Sequence, residues 1–248
     1  MADADAVVAE LRELARPDAL PGMARYGIAT GSALGGISVP TLRALARRLG
    51  RDHALAEALW ASGIHEARLL ASMVDDPSEV TEEQAERWST DFDSWDVVDT
   101  TCGDLLDRTP FAVAKAVEWS GREQEFVRRA GFVLMAALAV HDRAAPDDTF
   151  LAFLPLIERR AGDRRNFARK GVNWALRQIG KRNPALNAAA IATAERILSD
   201  GPREARWVAS DALRELRSDA VRRRLTQREA TGPVPVSNSD AVVPGRKP

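Results

Sequence analysis

Three stretches of this chain place side chains at spacings where they can act together. Over residues 166–181, at about 100° per residue, Val172, Ala175, Leu176 and Ile179 share one helical face. Lys170, Trp174, Arg177 and Lys181 stack on the opposite face. A core position would not be bracketed by cations, and a plain solvated face would not carry an indole. Cations holding phosphates beside a flat ring that meets bases or sugars is one reading. A tryptophan that snorkels, or packs under a neighbouring loop, is the other.

The second stretch is Ser94-Trp95-Asp96-Val97-Val98-Asp99. Ser94 fits a helix N-cap, and Trp95 and Asp99, four apart, share a face at the flank of the stripe of Val98, Cys102 and Leu105. A carboxylate beside an aromatic at such a rim can be partly desolvated and aimed at a positive charge. The plainer alternative is a boundary tryptophan with an exposed Asp99 near the helix N-terminus, where negative charge is favoured anyway. The third stretch is Phe126-Val127-Arg128-Arg129-Ala130-Gly131-Phe132, where two arginines run into a strongly apolar helix. Arg129 must meet an anion there: a phosphate, or one of the acidic residues at 73–107.

Composition narrows what these groups can belong to. The 248 residues carry a net charge of −1, but the charge is segregated. Residues 73–107 hold 12 acidic side chains against the single base Arg87, whereas residues 122–182 hold 13 basic against seven acidic. Screening confines electrostatics to about 8–10 Å at ordinary salt, so the second region can present a basic surface on a neutral chain. The lone Cys102 excludes a disulfide framework, and His53, His65 and His141 form no ligand motif, so no metal or cofactor is implied. No apolar run approaches a membrane span and no secretory leader opens the chain, which predicts a cytoplasmic protein without a membrane partner.

The elements that must position these residues are helices. Alternating β-branched runs are absent, and amphipathic helical segments recur at 3–15, 40–49, 54–61, 66–74, 94–106, 110–119, 123–140, 149–160, 166–181, 185–198 and 203–216. Thr81 with Gln84 reads as a further helix start, and 26–36, with four glycines, as a loop. Short connections between helices of two to five turns predict stacked antiparallel hairpins, with a spacing of 35–45 residues per pair that suits HEAT-like repeats. The expected architecture is one all-α domain over 1–228, with 123–140 centrally buried, and a disordered tail over 229–248 rich in Pro, Gly, Ser and Asn.

Taken in order, Asp93 to Asp99, Val127 to Gly131 and Asn173 to Arg177 resemble the DNA alkylation repair enzymes, the HEAT-like-repeat DNA glycosylases of the AlkD type, over about residues 26–216. The resemblance implies an all-α solenoid with a concave basic cleft that binds duplex DNA containing alkylated bases as a monomer. It implies hydrolytic excision of cationic N3- or N7-alkylpurines, without deep rotation of the lesion into a pocket. Trp95, Asp99 and Trp174 match the catalytic set, and Arg129 matches an arginine of the cleft. Arg129, Lys170, Arg177 and Lys181 are the expected phosphate contacts. Asp96, directly after Trp95, departs from the family pattern and adds a negative charge. Two rival readings are a DNA-binding relative without catalysis, and a scaffold that docks proteins through its acidic 73–107 segment.

Overall fold

The computed structural model describes residues 3–231 and, among them, contains fourteen α-helices and no strand. In chain order these are α1 (Ala4–Leu14), α2 (Leu20–Arg25), α3 (Val39–Leu49), α4 (His53–Ala61), α5 (His65–Val74), α6 (Glu82–Thr90) and α7 (Trp95–Asp104). Then follow α8 (Ala112–Ser120), α9 (Glu125–His141), α10 (Asp147–Arg160), α11 (Asn166–Gly180), α12 (Pro184–Asp200), α13 (Arg206–Leu216) and α14 (Asp219–Thr231). The starts follow from side chains that satisfy the free N–H groups of a first turn. Ser38 accepts from Thr41 N ahead of Pro40, Thr81 from Gln84 N, and Asn183 from Leu186 N ahead of Pro184. Ser94 holds the N-cap position of α7 by its extended backbone, yet its hydroxyl makes no capping bond.

The helices stack as hairpins in two layers. In one layer α3, α5, α7, α9, α11 and α13 touch in succession, while α8, α10 and α12 succeed one another in the other. The hairpin partners α4 and α5, α8 and α9, α10 and α11, and α12 and α13 close the repeat units. α9 is the hub, packed between α7, α8 and α11, and it is buried from Val127 to Ala139, as its apolar sequence predicts. Phe132, Leu134 and Met135 are fully enclosed there, each contributing about 1.5–3 kcal/mol of burial.

Adjacent repeats are also joined by polar pairs across the layer that begins with α3. His65 on α5 meets Asp96 on α7, Arg129 on α9 meets Asp99 on α7, and Arg177 on α11 meets Asp211 on α13, at sequence separations of 31, 30 and 34. The recurring separation is one repeat. It explains where the acidic run at 73–107 goes. Asp75 is buried against His53 and Gln84, and Glu86 gathers Lys115, Arg122 and the Trp119 indole. Asp91 takes the Trp60 indole, and Asp107 pairs with His141. Much of the run is thus an internal fastening, while Glu79, Glu82, Glu83 and Asp93 stay exposed. The structure adds α2 and α14 to the expected helices, and α14 extends through Thr231, three residues into the span expected to be a disordered tail. The rest of that tail lies outside the described residues.

Candidate functional site

α7 begins at Trp95 because extended Ser94 turns the chain into the helix, and Asp99 follows one turn later on the same face. The Trp95 indole N–H donates to the carbonyl oxygen of Tyr26 at 2.9 Å, which orients the ring against the loop after α2. That loop is itself fixed by Glu66 on α5, a buried carboxylate whose two oxygens accept from Leu34 N and Gly35 N at 2.8 Å each.

Asp99 is gripped side-on. Arg129 Nε and Nη2 donate to its two carboxylate oxygens at 2.9 and 2.8 Å, and Arg129 Nη1 donates to the carbonyl of Phe167 at 2.8 Å. Two glycines mark close helix approaches around this arginine. A Cβ on Gly131 would lie 2.3 Å from Ser120 N, so only glycine lets α9 approach the end of α8. A Cβ on Gly171 would sit 3.4 Å from the Arg129 side chain, where α11 passes it closely. Burial pushes the Asp99 carboxyl above its ordinary value, and the Arg129 charge and hydrogen bonds oppose that rise. The bidentate contact is the geometry of an ionised carboxylate held by a guanidinium. Asp99 is therefore not an exposed rim residue: its side chain is 21% accessible and that of Arg129 only 7%.

Asp96 points elsewhere. Its carboxylate meets His65 Nε2 at 2.9 Å, so the extra charge beside Trp95 is bound to α5 rather than added to the cleft. Burial would raise the Asp96 carboxyl, but the hydrogen bond and charge of His65 outweigh it and hold it below its ordinary value.

α11 presents Phe167, Lys170, Trp174 and Arg177 to the same space, and α13 adds Trp207 and Asp211. Together with Tyr26, Trp95, Asp99 and Arg129 these residues line one cleft of about 620 Å³. Trp95, Asp99, Arg129 and Trp174, up to 79 residues apart in the chain, thus share one wall system because α7, α9 and α11 are neighbours in one layer. Trp174 packs half-buried against the core with part of its ring in the cleft, so both sequence readings of it apply.

The charge of the cleft corrects the expectation of a basic one. Arg129 is not free for a phosphate, since Asp99 and the Phe167 carbonyl occupy its nitrogens; of the two anions open to it in sequence, the fold supplies the acidic residue. Arg177 meets Asp211 at 3.0 Å and Glu215 at 2.6 Å. Lys181 pairs with Glu215 at 2.7 Å and lines a different cavity, at the C-terminal ends of α9 and α11. Lys170 alone of the four expected contacts is an exposed cleft cation without a carboxylate partner among the described residues. Sequence reasoning also missed Tyr26, Phe167, Trp207 and Asp211. The last two carried a legible signal, since Trp207 and Asp211 repeat the four-residue spacing of Trp95 and Asp99.

Residues 7–216 match the family described as DNA alkylation repair enzyme. The chain belongs to that family. One solved structure shares its fold with a TM-score of 0.72 at 18% identity, covering 90% of this chain and 96% of the other. That structure comes from a family of proteins related to the HEAT-like repeat DNA glycosylases with affinity for branched DNA structures. No curated protein matches the chain. Within the alkylation repair family, this member joins an aromatic cleft to a carboxylate that is held rigidly from behind. Such a cleft suits a flat cation: indole faces attract positive charge, and the carboxylate supplies a fixed negative pole.

Proposed function

We propose that this protein is a DNA N-glycosylase that hydrolyses the N-glycosidic bond of purines alkylated at N3 or N7 in duplex DNA, acting as a cytoplasmic monomer. The observation that carries the reading is the convergence of Trp95, Trp174 and the Arg129-held Asp99 in one cleft. Its volume, about 620 Å³, lies within the range of about 300–1,000 Å³ found for small-molecule sites.

Alkylation at N3 or N7 gives the purine a positive charge. When the bond to C1′ breaks, its electron pair goes to the base, which leaves neutral, and the positive charge passes to the sugar. Trp95 and Trp174 meet that charge with cation–π attraction of about 0.5–2 kcal/mol each. Asp99 faces it with a full negative charge that needs no rearrangement, because Arg129 holds the carboxylate plane in place. A carboxylate has about four acceptor positions, and Arg129 takes two of them. The remaining positions orient the attacking water, whose oxygen bonds to C1′ and whose proton passes to Asp99 and on to solvent. Lys170 contributes the phosphate contact.

Release of free base from N-methylated duplex DNA by the purified protein tests this reading, and absence of release from such DNA sinks it. A second reading is DNA binding without excision, favoured by the pairing of Asp99 with Arg129 and by the fold shared with proteins that have affinity for branched DNA. Salt-sensitive binding with no base release selects it.

A further inference from the structure

The cleft carries a third tryptophan to which the proposed reaction gives no task. Trp207 is the second residue of α13, one turn ahead of Asp211, and it is 43% exposed. Its indole N–H has no acceptor among the described residues, whereas that of Trp95 is held by the Tyr26 carbonyl. The guanidinium of Arg169, from α11, lies over the ring at 5.1 Å, and exposed Lys170 follows Arg169 directly. The adjacent carboxylate is not offered to a ligand. One Asp211 oxygen takes Arg177 at 3.0 Å and the other takes Arg214, so this end of the cleft is equipped to bind rather than to hydrolyse.

A large flat ring left open on the wall of a cleft, backed by one cation and flanked by another, matches the requirements for stacking a nucleobase while its phosphates are neutralised. A base inside an intact duplex already has both faces covered by its neighbours. Only a base that has left the stack has a face to offer. We infer that Trp207, backed by Arg169, is a stacking platform for an unpaired nucleobase, at the opposite end of the cleft from Asp99. This inference rests on the reading of the protein as DNA-binding and adds a ligand subsite to it.

The test compares the full chain on two fluorescently labelled probes: a fully paired duplex, and the same duplex carrying one unpaired, bulged adenine. The wild type should prefer the bulged probe. Trp207→Ala should lose roughly tenfold in affinity for the bulged probe, in line with the loss of one base–aromatic stack, and much less for the paired one. Trp207→Leu keeps apolar bulk on α13 without a flat ring, guards against a folding defect, and should show the same selective loss. Trp207→Phe should keep most of the preference. Equal losses on both probes, or no loss on either, would overturn the platform. A wild type that binds neither probe would instead sink the DNA-binding reading on which it rests.

Discussion

Trp95 and Asp99 on α7, and Trp207 and Asp211 on α13, are the same short pattern at two ends of one cleft. They differ in what holds the carboxylate. Asp99 is gripped through both oxygens by a single arginine whose side chain is 7% accessible and whose third nitrogen is tied to the Phe167 carbonyl. Asp211 is shared between Arg177 and Arg214, which are 29% and 81% accessible, and Arg177 is shared again with Glu215. A buried pair is costly to break because removing one partner strands the other charge away from water. Asp211 is itself only 12% accessible, so the contrast lies in the arginines: one that reaches solvent, and whose carboxylates have other partners, exchanges at less cost. The same pattern therefore makes a rigid negative pole at one end and a releasable cation at the other. On the proposed DNA-binding reading, an incoming phosphate would take Arg177 from Asp211 more readily than Arg129 from Asp99.

The largest effect expected is on Asp99→Asn. If the carboxylate stabilises the cationic transition state, base release should fall by about 10²–10³, as for other preorganised electrostatic groups. The melting temperature should fall too, because the buried Arg129 guanidinium loses its counter-charge. An exposed Asp99 at the helix rim would leave the melting curve unchanged, and the Arg129 contact is the reason to expect the fall. Wild-type base release in this variant would erase the distinction between the two ends of the cleft.

Next comes stability. Arg129→Met should cost about 3–5 kcal/mol in urea unfolding, the usual penalty for breaking a buried pair. Arg177→Met should cost less, because its side chain reaches solvent and the carboxylates it leaves keep Arg214 and Lys181 as partners. Similar costs for the two would show that burial does not separate them.

The pH dependence of base release sharpens the same point. Activity should be present while Asp99 is ionised and lost as pH falls through its pKa. Burial raises that pKa, so the acid limb should lie above the range of an ordinary aspartate. Arg129 opposes the rise, so in Arg129→Met the limb should move to still higher pH. A limb that stays in place would mean that another group sets it.

Smaller and opposite in sign is Asp211→Asn. Freeing Arg177 should raise affinity for undamaged duplex a few-fold and steepen the dependence of log K on log salt by up to about 0.9. An unchanged slope would mean that Glu215 alone keeps Arg177 occupied. Lys170→Gln should flatten that slope by about 0.9, and the smallest effect is on Lys181→Gln, because Glu215 already holds Lys181 outside the cleft.

Local chemistry made most of the helices legible. Thr81 with Gln84, Pro40 with Gly50, and the apolar run of α9 each mark their element by rules that act over a few residues. Helix α2 was not legible, since it is six residues long with no side-chain cap, and neither was α14, whose run of arginines has little apolar periodicity. Trp95, Asp99 and Trp174 were legible as candidates because their spacing along single helices is a local property.

The sequence alone determined that this chain is a helical repeat and which of its helices carry aromatic and charged faces, since periodicity, caps and turn residues act between near neighbours in the chain. The partner of each charge was decided only by the tertiary structure. Arg129 faced two possible anions in sequence, and the stacking of α7 on α9 selected Asp99. The stripe of Lys170, Arg177 and Lys181 read as a basic face until α13 laid Asp211 and Glu215 against it. Helical periodicity specifies the direction in which a side chain leaves its own helix. The group it meets belongs to another helix about one repeat away, and only the packing of the apolar faces sets how those two helices lie together.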